Sequence, residues 1–151
     1  EAVLSKLINK NDLNFEELYI AKPHVFISNN HPLANKEEIT IQDLMLYPYL
    51  VFEQGKHNSF YFSEEFLSSL EFSKNIMVRD RATLFNLLIG LNGFTVCSGI
   101  IDTELNGENI ISKPLDSDCS MRIGILTRKN SVLSRYGVSY LNILKNHLSI
   151  D

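Results

Sequence analysis

Apolar residues recur along this chain in two rhythms, one of period two and one close to 3.6, and their succession predicts an α/β fold. The clearest passage is 75–100, NIMVRDRATLFNLLIGLNGFTVCSGI. Its opening four residues lean apolar as a short strand does, Asp80 suits a helix N-cap, and Leu84, Phe85, Leu88 and Leu91 fall at helical spacing before Asn92-Gly93. Gly93 is expected to take the left-handed conformation that ends such a helix. Residues 94–97, FTVC, then read as a compact strand, so the passage predicts one strand–helix–strand unit of a parallel sheet. Units of this kind bring strand ends and helix N-termini to one edge, where open α/β sheets bind ligands. Taken alone, the passage speaks for fold and not for function.

The remaining pattern places elements on both sides of this unit. Val3, Leu4, Leu7 and Ile8 share one side of a short helix that ends at 9–12, and 15–20 and 24–28 are strand candidates separated by Ala21-Lys22-Pro23. In HPLANKEEITIQDL, His31-Pro32 is a turn, and Thr40 caps a short helix carrying Ile41, Leu44 and Met45. Asp43, third in that helix, favours its N-terminal dipole. Residues 49–53 are strand formers. They lead into the loop QGKHNS at 54–59, which leaves a strand, holds a glycine and precedes a helix with Phe62, Phe66, Leu67 and Leu70 as its buried stripe. Residues 109–115 and 121–127 read as later strands. Ser134 begins a final helix with Val138, Leu141, Leu144 and Leu148 toward the core.

Composition narrows the function classes. With 44% hydrophobic and 21% charged residues in 151, the chain has the balance of a globular domain. A net charge of −4 supplies no electrostatic reason to bind nucleic acid, whose affinity rests on Lys and Arg neutralising phosphates. No apolar run is long enough to span a bilayer and residues 1–20 lack the segments of a secretion signal, so a cytoplasmic location without membrane association is expected. Cys97 and Cys119 form no CxxC pair, and Cys97 reads as a small buried hydrophobe. His24, His31, His57 and His147 sit in unrelated segments, so neither a metal site nor a cofactor is expected. Neither GxSxG nor GxxxxGK[ST] is present, and Cys97-Ser98-Gly99 has no adjacent histidine motif, which argues against catalysis. Glu64-Glu65 reads as the solvated first turn of a helix.

In order and spacing, KPHVFISNNHPLANKEEITIQDLMLYPYLVFEQG and VRDRATLFNLLIGLNGFTVCSGI resemble the effector-binding domain of LysR-type transcriptional regulators. The resemblance lies in His31-Pro32-Leu33-Ala34 after a strand, Asp43-Leu44 with Pro48 behind it, a helix leading through a glycine turn into a strand, and Leu133-Ser134 before the last helix; it runs from about residue 14 to 148. It implies a type 2 periplasmic-binding-protein-like domain of two α/β lobes with a small-molecule effector in the cleft. The second lobe would be 28–115, and 1–27 with 116–151 would form an incomplete first lobe. The family pattern also implies about 150 further residues N-terminal to Glu1, bearing the helix-turn-helix through which alone DNA would be bound. Self-association as a dimer or tetramer would go through the effector domain, with the helix near 60–70 as a candidate patch.

Strand ends and loop chemistry single out Gln54, Gly55, Lys56, His57, Asn58 and Ser59, with Thr83 at a helix N-terminus and Ser98 and Gly99 after a strand, as effector contacts. Their donors favour a small anionic or zwitterionic metabolite. Local capping by Ser59 and Thr83, and a solvated loop at Lys56 and His57, are the bland alternatives. The rival functions are a lobe of a transport solute-binding protein, which would carry an export signal upstream, and an enzyme of related two-lobe fold, which would need a convergent set of titrating groups.

Overall fold

The computed structural model describes residues 13–53 and 72–148. In chain order its elements are β1 (Leu13–Ala21), β2 (His24–Ser28), α1 (Ile41–Leu44), β3 (Tyr49–Phe52), β4 (Asn75–Val78), α2 (Arg81–Leu91), β5 (Thr95–Cys97), α3 (Thr103–Asn106), β6 (Ile110–Pro114), β7 (Met121–Arg128) and α4 (Arg135–Leu148). They form two units, Lys22–Met121 and the pair of segments Glu1–Ala21 and Arg122–Asp151. The larger unit includes β2, an inner strand of its sheet.

In that unit β2 lies antiparallel between β5 and β6, with His24 opposite both Cys97 and Pro114. β3 and β4 pair in parallel, Phe52 opposite Val78. The two sheets join where Phe94 meets β3: Leu50 N–H donates to the Phe94 carbonyl at 2.8 Å and Phe94 N–H to the Pro48 carbonyl at 2.9 Å. The strand order is therefore β4-β3-β5-β2-β6, with β2 alone running against the others. The expected β4–α2–β5 unit is parallel, and β3 is inserted between its two strands.

Both faces of this sheet are covered, which is why its strands read as nearly continuous apolar runs. Successive residues alternate between faces: Val25, Ile27, Tyr49 and Phe94 join Leu33, Ile39, Leu44, Phe72 and Leu115 in one core, while Phe26, Leu50 and Ile110 join Val78, Leu84 and Leu88 in the other. The first core is centred on Tyr49, Phe72 and Phe94, with ring centroids 5.0–5.4 Å apart. Such aromatic contacts add about 0.5–1.5 kcal/mol per pair beyond the area they bury.

The helix ends follow from short-range chemistry. Thr40 and Asp43 form a reciprocal capping box at α1, and Lys36 donates to Asp43 at 2.6 Å. That bond, then those from Thr40, lower the Asp43 carboxyl to about 2. Asp80 caps α2. At the other end of α2 the left-handed residue is Asn92, with φ 49°, and not Gly93 as the sequence reading expects. Gly93 is required for a different reason: a Cβ there would stand 2.2 Å from Leu50 Cδ1 and 3.1 Å from the Pro48 carbonyl. Asn tolerates the left-handed region, which leaves the glycine for the close approach of the β3 backbone.

In the smaller unit β1 pairs with β7. Gly124 lets the strands come together, since a Cβ would lie 2.3 Å from the Glu16 carbonyl and 2.6 Å from the Phe15 ring. Arg122 pairs with Glu17 and spans the Phe15 ring at 5.4 Å, and Lys145 of α4 pairs with Glu16. Along α4, Leu141, Leu144 and Leu148 are half-buried as the stripe predicts, whereas Val138 is 46% exposed. The helices expected near 2–8 and 60–70, the second a candidate self-association patch, lie outside the described residues.

Candidate functional site

Because β3, β4 and β5 run in parallel, their C-terminal ends lie side by side on one edge of the sheet, with the start of β2 and the end of β6 beside them. Of the segments expected to carry the site, those with Thr83 and with Ser98 and Gly99 follow strands that end on this edge. β3 ends before Glu53 and the 54–59 loop, β4 leads through Arg79 and Asp80 to Thr83, and β5 leads to Ser98 and Gly99. Gln54, Gly55, Lys56, His57, Asn58 and Ser59 lie outside the described residues. The chain also enters and leaves the larger unit here, where Leu115 N–H donates to the Pro23 carbonyl at 3.0 Å.

A guanidinium–carboxylate fork ties two of these strand ends together. Arg79 Nε and Nη2 donate to the two Glu53 carboxylate oxygens, the second at 3.4 Å, while Glu53 N–H donates to the Val78 carbonyl at 2.7 Å. The hydrogen bond from Arg79, then its charge, lowers the Glu53 carboxyl below its ordinary value, and the same bond raises Arg79. Sequence reasoning missed this pair. Its members stand at the ends of separate strands, and only the parallel register brings them together.

Thr83 is exposed and its donors are already engaged. Its N–H donates to Asp80 Oδ1 at 2.8 Å and its hydroxyl to Oδ2 at 2.7 Å. The Asp80 carboxyl is accordingly lowered, first by the Thr83 N–H and then by its hydroxyl. Ser98 and Gly99 are half-buried. Gly99 has φ +87° and its carbonyl accepts from the Ser112 hydroxyl at 3.2 Å, so the turn after β5 is fastened to β6. Burial pushes the Cys97 thiol up to about 11, with the Gly99 N–H and the Arg81 charge pulling the other way. A thiol held protonated behaves as the expected small hydrophobe and not as a nucleophile.

His31, read from the sequence as part of a turn, is 3% exposed. Leu33 N–H donates to its Nδ1 at 3.0 Å, so Nε2 carries the hydrogen and donates to the Asn92 carbonyl at 3.0 Å. Its ring packs on Tyr47 at 4.4 Å. Among the described residues no group of three or more His, Cys, Asp or Glu side chains is placed to hold a metal ion. No described helix is long and apolar enough to cross a membrane.

Residues 2–149 match the family described as the LysR substrate binding domain. The chain belongs to this family. A malolactic fermentation system transcriptional activator of Lactococcus lactis subsp. lactis is 28% identical over 138 residues, which are 88% of this chain and 46% of that protein. HinK, a LysR family transcriptional regulator from Pseudomonas aeruginosa, superposes with a TM-score of 0.68 at 16% identity, over 91% of this chain and 48% of that one. The effector-binding domain of QuiR in complex with shikimate superposes with a TM-score of 0.64 at 19% identity, over 93% of this chain and 68% of that one. The LysR substrate-binding chain thus spans about half the length of the two regulators. Its fold is the two-lobed, periplasmic-binding-protein-like α/β fold that the resemblance implies.

Proposed function

We propose that this effector domain binds a small anionic or zwitterionic metabolite at the C-terminal edge of its larger sheet, and that binding shifts the population of states of a transcriptional regulator. The observation that carries the reading is the convergence of three parallel strand ends, with the turn at Ser98 and Gly99 and the approach to Gln54, Gly55, Lys56, His57, Asn58 and Ser59 all on one edge. An effector anion suits the amide, hydroxyl and ammonium donors of that loop, and shikimate, which the QuiR domain holds, is such an anion. Thr83 serves in this reading at the start of α2, which its bonds to Asp80 fix after the end of β4.

The regulator is non-enzymatic and cytoplasmic, self-associates as a dimer or tetramer, and reaches DNA through an N-terminal domain outside this chain. A net charge of −4 gives this chain no electrostatic reason to hold DNA phosphates. The family match favours regulation over the transport and enzyme readings. The test is calorimetric titration of Asn58→Ala, Ser59→Ala and Glu64→Ala with an acid selected from a metabolite panel. Charge-assisted contacts contribute about 1.5–3 kcal/mol each when sheltered, so the first two changes weaken binding roughly ten- to hundredfold and the third leaves it in place. Equal affinities for all three and the wild type, at unchanged melting temperatures, move the effector off this edge.

A further inference from the structure

The imidazole of His24, the first residue of β2, is held at the same edge between the Gly99 backbone and the Lys22 carbonyl. Gly99 lies flat against it: a Cβ at Gly99 would stand 2.5 Å from His24 Nδ1 and 2.6 Å from Cγ, and φ of +87° already disfavours any side chain there. Gly99 is itself anchored by the Ser112 hydroxyl of β6, and the Cys97 thiol of β5 rests 3.8 Å from the His24 carbonyl. The ring therefore has one seat. Its tautomer follows from its partner. Nδ1 lies 2.9 Å from the Lys22 carbonyl, which can only accept, so Nδ1 carries a hydrogen, and in the neutral ring Nε2 presents a lone pair. Nε2 has no hydrogen-bond partner among the described residues, and the side chain is half-buried.

An acceptor with a fixed direction, on a half-buried residue next to the Ser98-Gly99 turn, is a means of selecting among ligands. We propose that His24 is a specificity-determining contact of the effector site, its Nε2 accepting a hydrogen bond from a hydroxyl group of the bound acid. The ligand class narrows from small anions to hydroxylated carboxylic acids. This inference rests on the effector reading given above, which supplies the carboxylate end of the ligand. His24 adds a preference for the hydroxylated member of any pair of acids with one carbon skeleton.

The test uses the purified 151-residue chain and three such pairs: shikimate with cyclohexene-1-carboxylate, lactate with propionate, and malate with succinate. For any pair that binds, the hydroxylated acid is expected to bind about tenfold tighter, one net hydrogen bond. In His24→Phe, which keeps a ring and removes the acceptor, the two acids of the pair bind within twofold of each other and the deoxy acid keeps its wild-type affinity. Loss of both acids to the same degree assigns His24 a structural role and overturns the proposal, as does a hydroxyl preference that survives the change. Should His24→Phe fail to fold, the imidazole ¹⁵N resonances of the wild-type chain decide. Nε2 shifts with the hydroxylated acid and not with its deoxy partner, and equal responses overturn the proposal. Binding of acids without any His24 response leaves the effector reading standing alone. Binding of none of the six removes both.

Discussion

His31 and Asn92 are 61 residues apart in sequence and joined by one hydrogen bond, from the imidazole Nε2–H to the Asn92 carbonyl at 3.0 Å. Asn92 is the left-handed residue that closes α2, so the bond fastens the turn after β2 to the end of the helix covering the opposite face of the sheet. The ring also accepts the Leu33 N–H, so one neutral imidazole satisfies two backbone groups.

Replacing this ring exposes what it satisfies. His31→Leu leaves the buried Leu33 N–H without its partner and opens the part-buried bond to the Asn92 carbonyl, and is expected to cost about 1–3 kcal/mol, chiefly from the one orphaned buried donor. Urea denaturation of the two proteins at pH 8 checks it; a loss below about 1 kcal/mol would mean that water replaces the ring at both groups.

The same ring sets a pH dependence. Burial lowers the His31 pKa from its ordinary 6.5, against the opposing effect of the bond to Asn92. Below 6.5 the unfolded chain takes up a proton that the folded chain refuses, so stability is full above that value and is lost as pH falls toward the depressed one. The urea midpoint of the wild type is expected to fall between pH 7 and pH 5 more than that of His31→Leu. Parallel midpoints would show that His31 protonates in place.

At the end of α2 the two adjacent residues should respond unequally to substitution. Asn92→Gly keeps the left-handed backbone at φ 49° and leaves stability within about 0.5 kcal/mol. Gly93→Ala drives a methyl into Leu50 and the Pro48 carbonyl and costs about 1–3 kcal/mol. Thermal unfolding of the two variants decides; the reverse order would place the helix terminus one residue later.

The pattern of the chain made much of this legible. Thr40 and Asp80 as caps, β2, β3 and β6 as apolar strands, and the stripe of Leu84 and Leu88 each depend on neighbours within a few positions, where spacing carries the information. The roles of His24, His31 and the Glu53–Arg79 fork depend on register between distant strands, and no local periodicity encodes that. Gly93 shows the boundary well. A glycine after a helix signals a left-handed terminus, yet the signal is blind to the Leu50 side chain that makes the glycine necessary.

The two thiols differ in reactivity. With its pKa near 11, Cys97 is about one part in a thousand thiolate at pH 8, and it is half-buried, whereas Cys119 is exposed. Limited iodoacetamide treatment followed by peptide mass spectrometry is expected to find Cys119 modified well before Cys97. Comparable rates would place Cys97 in solvent and loosen the β5 turn from the sheet.

Amide chemical-shift mapping of the ¹⁵N-labelled chain against a panel of small carboxylic acids tests the central claim most directly. A binding acid is predicted to move Ser98, Gly99 and the amides of 53–59 together, leaving Asn29 and Asn109, paired at 2.9 Å at the far end of β2 and β6, in place. Shifts centred on Asn29 and Asn109, or no response to any acid of the panel, would contradict an effector site at the C-terminal edge of this sheet.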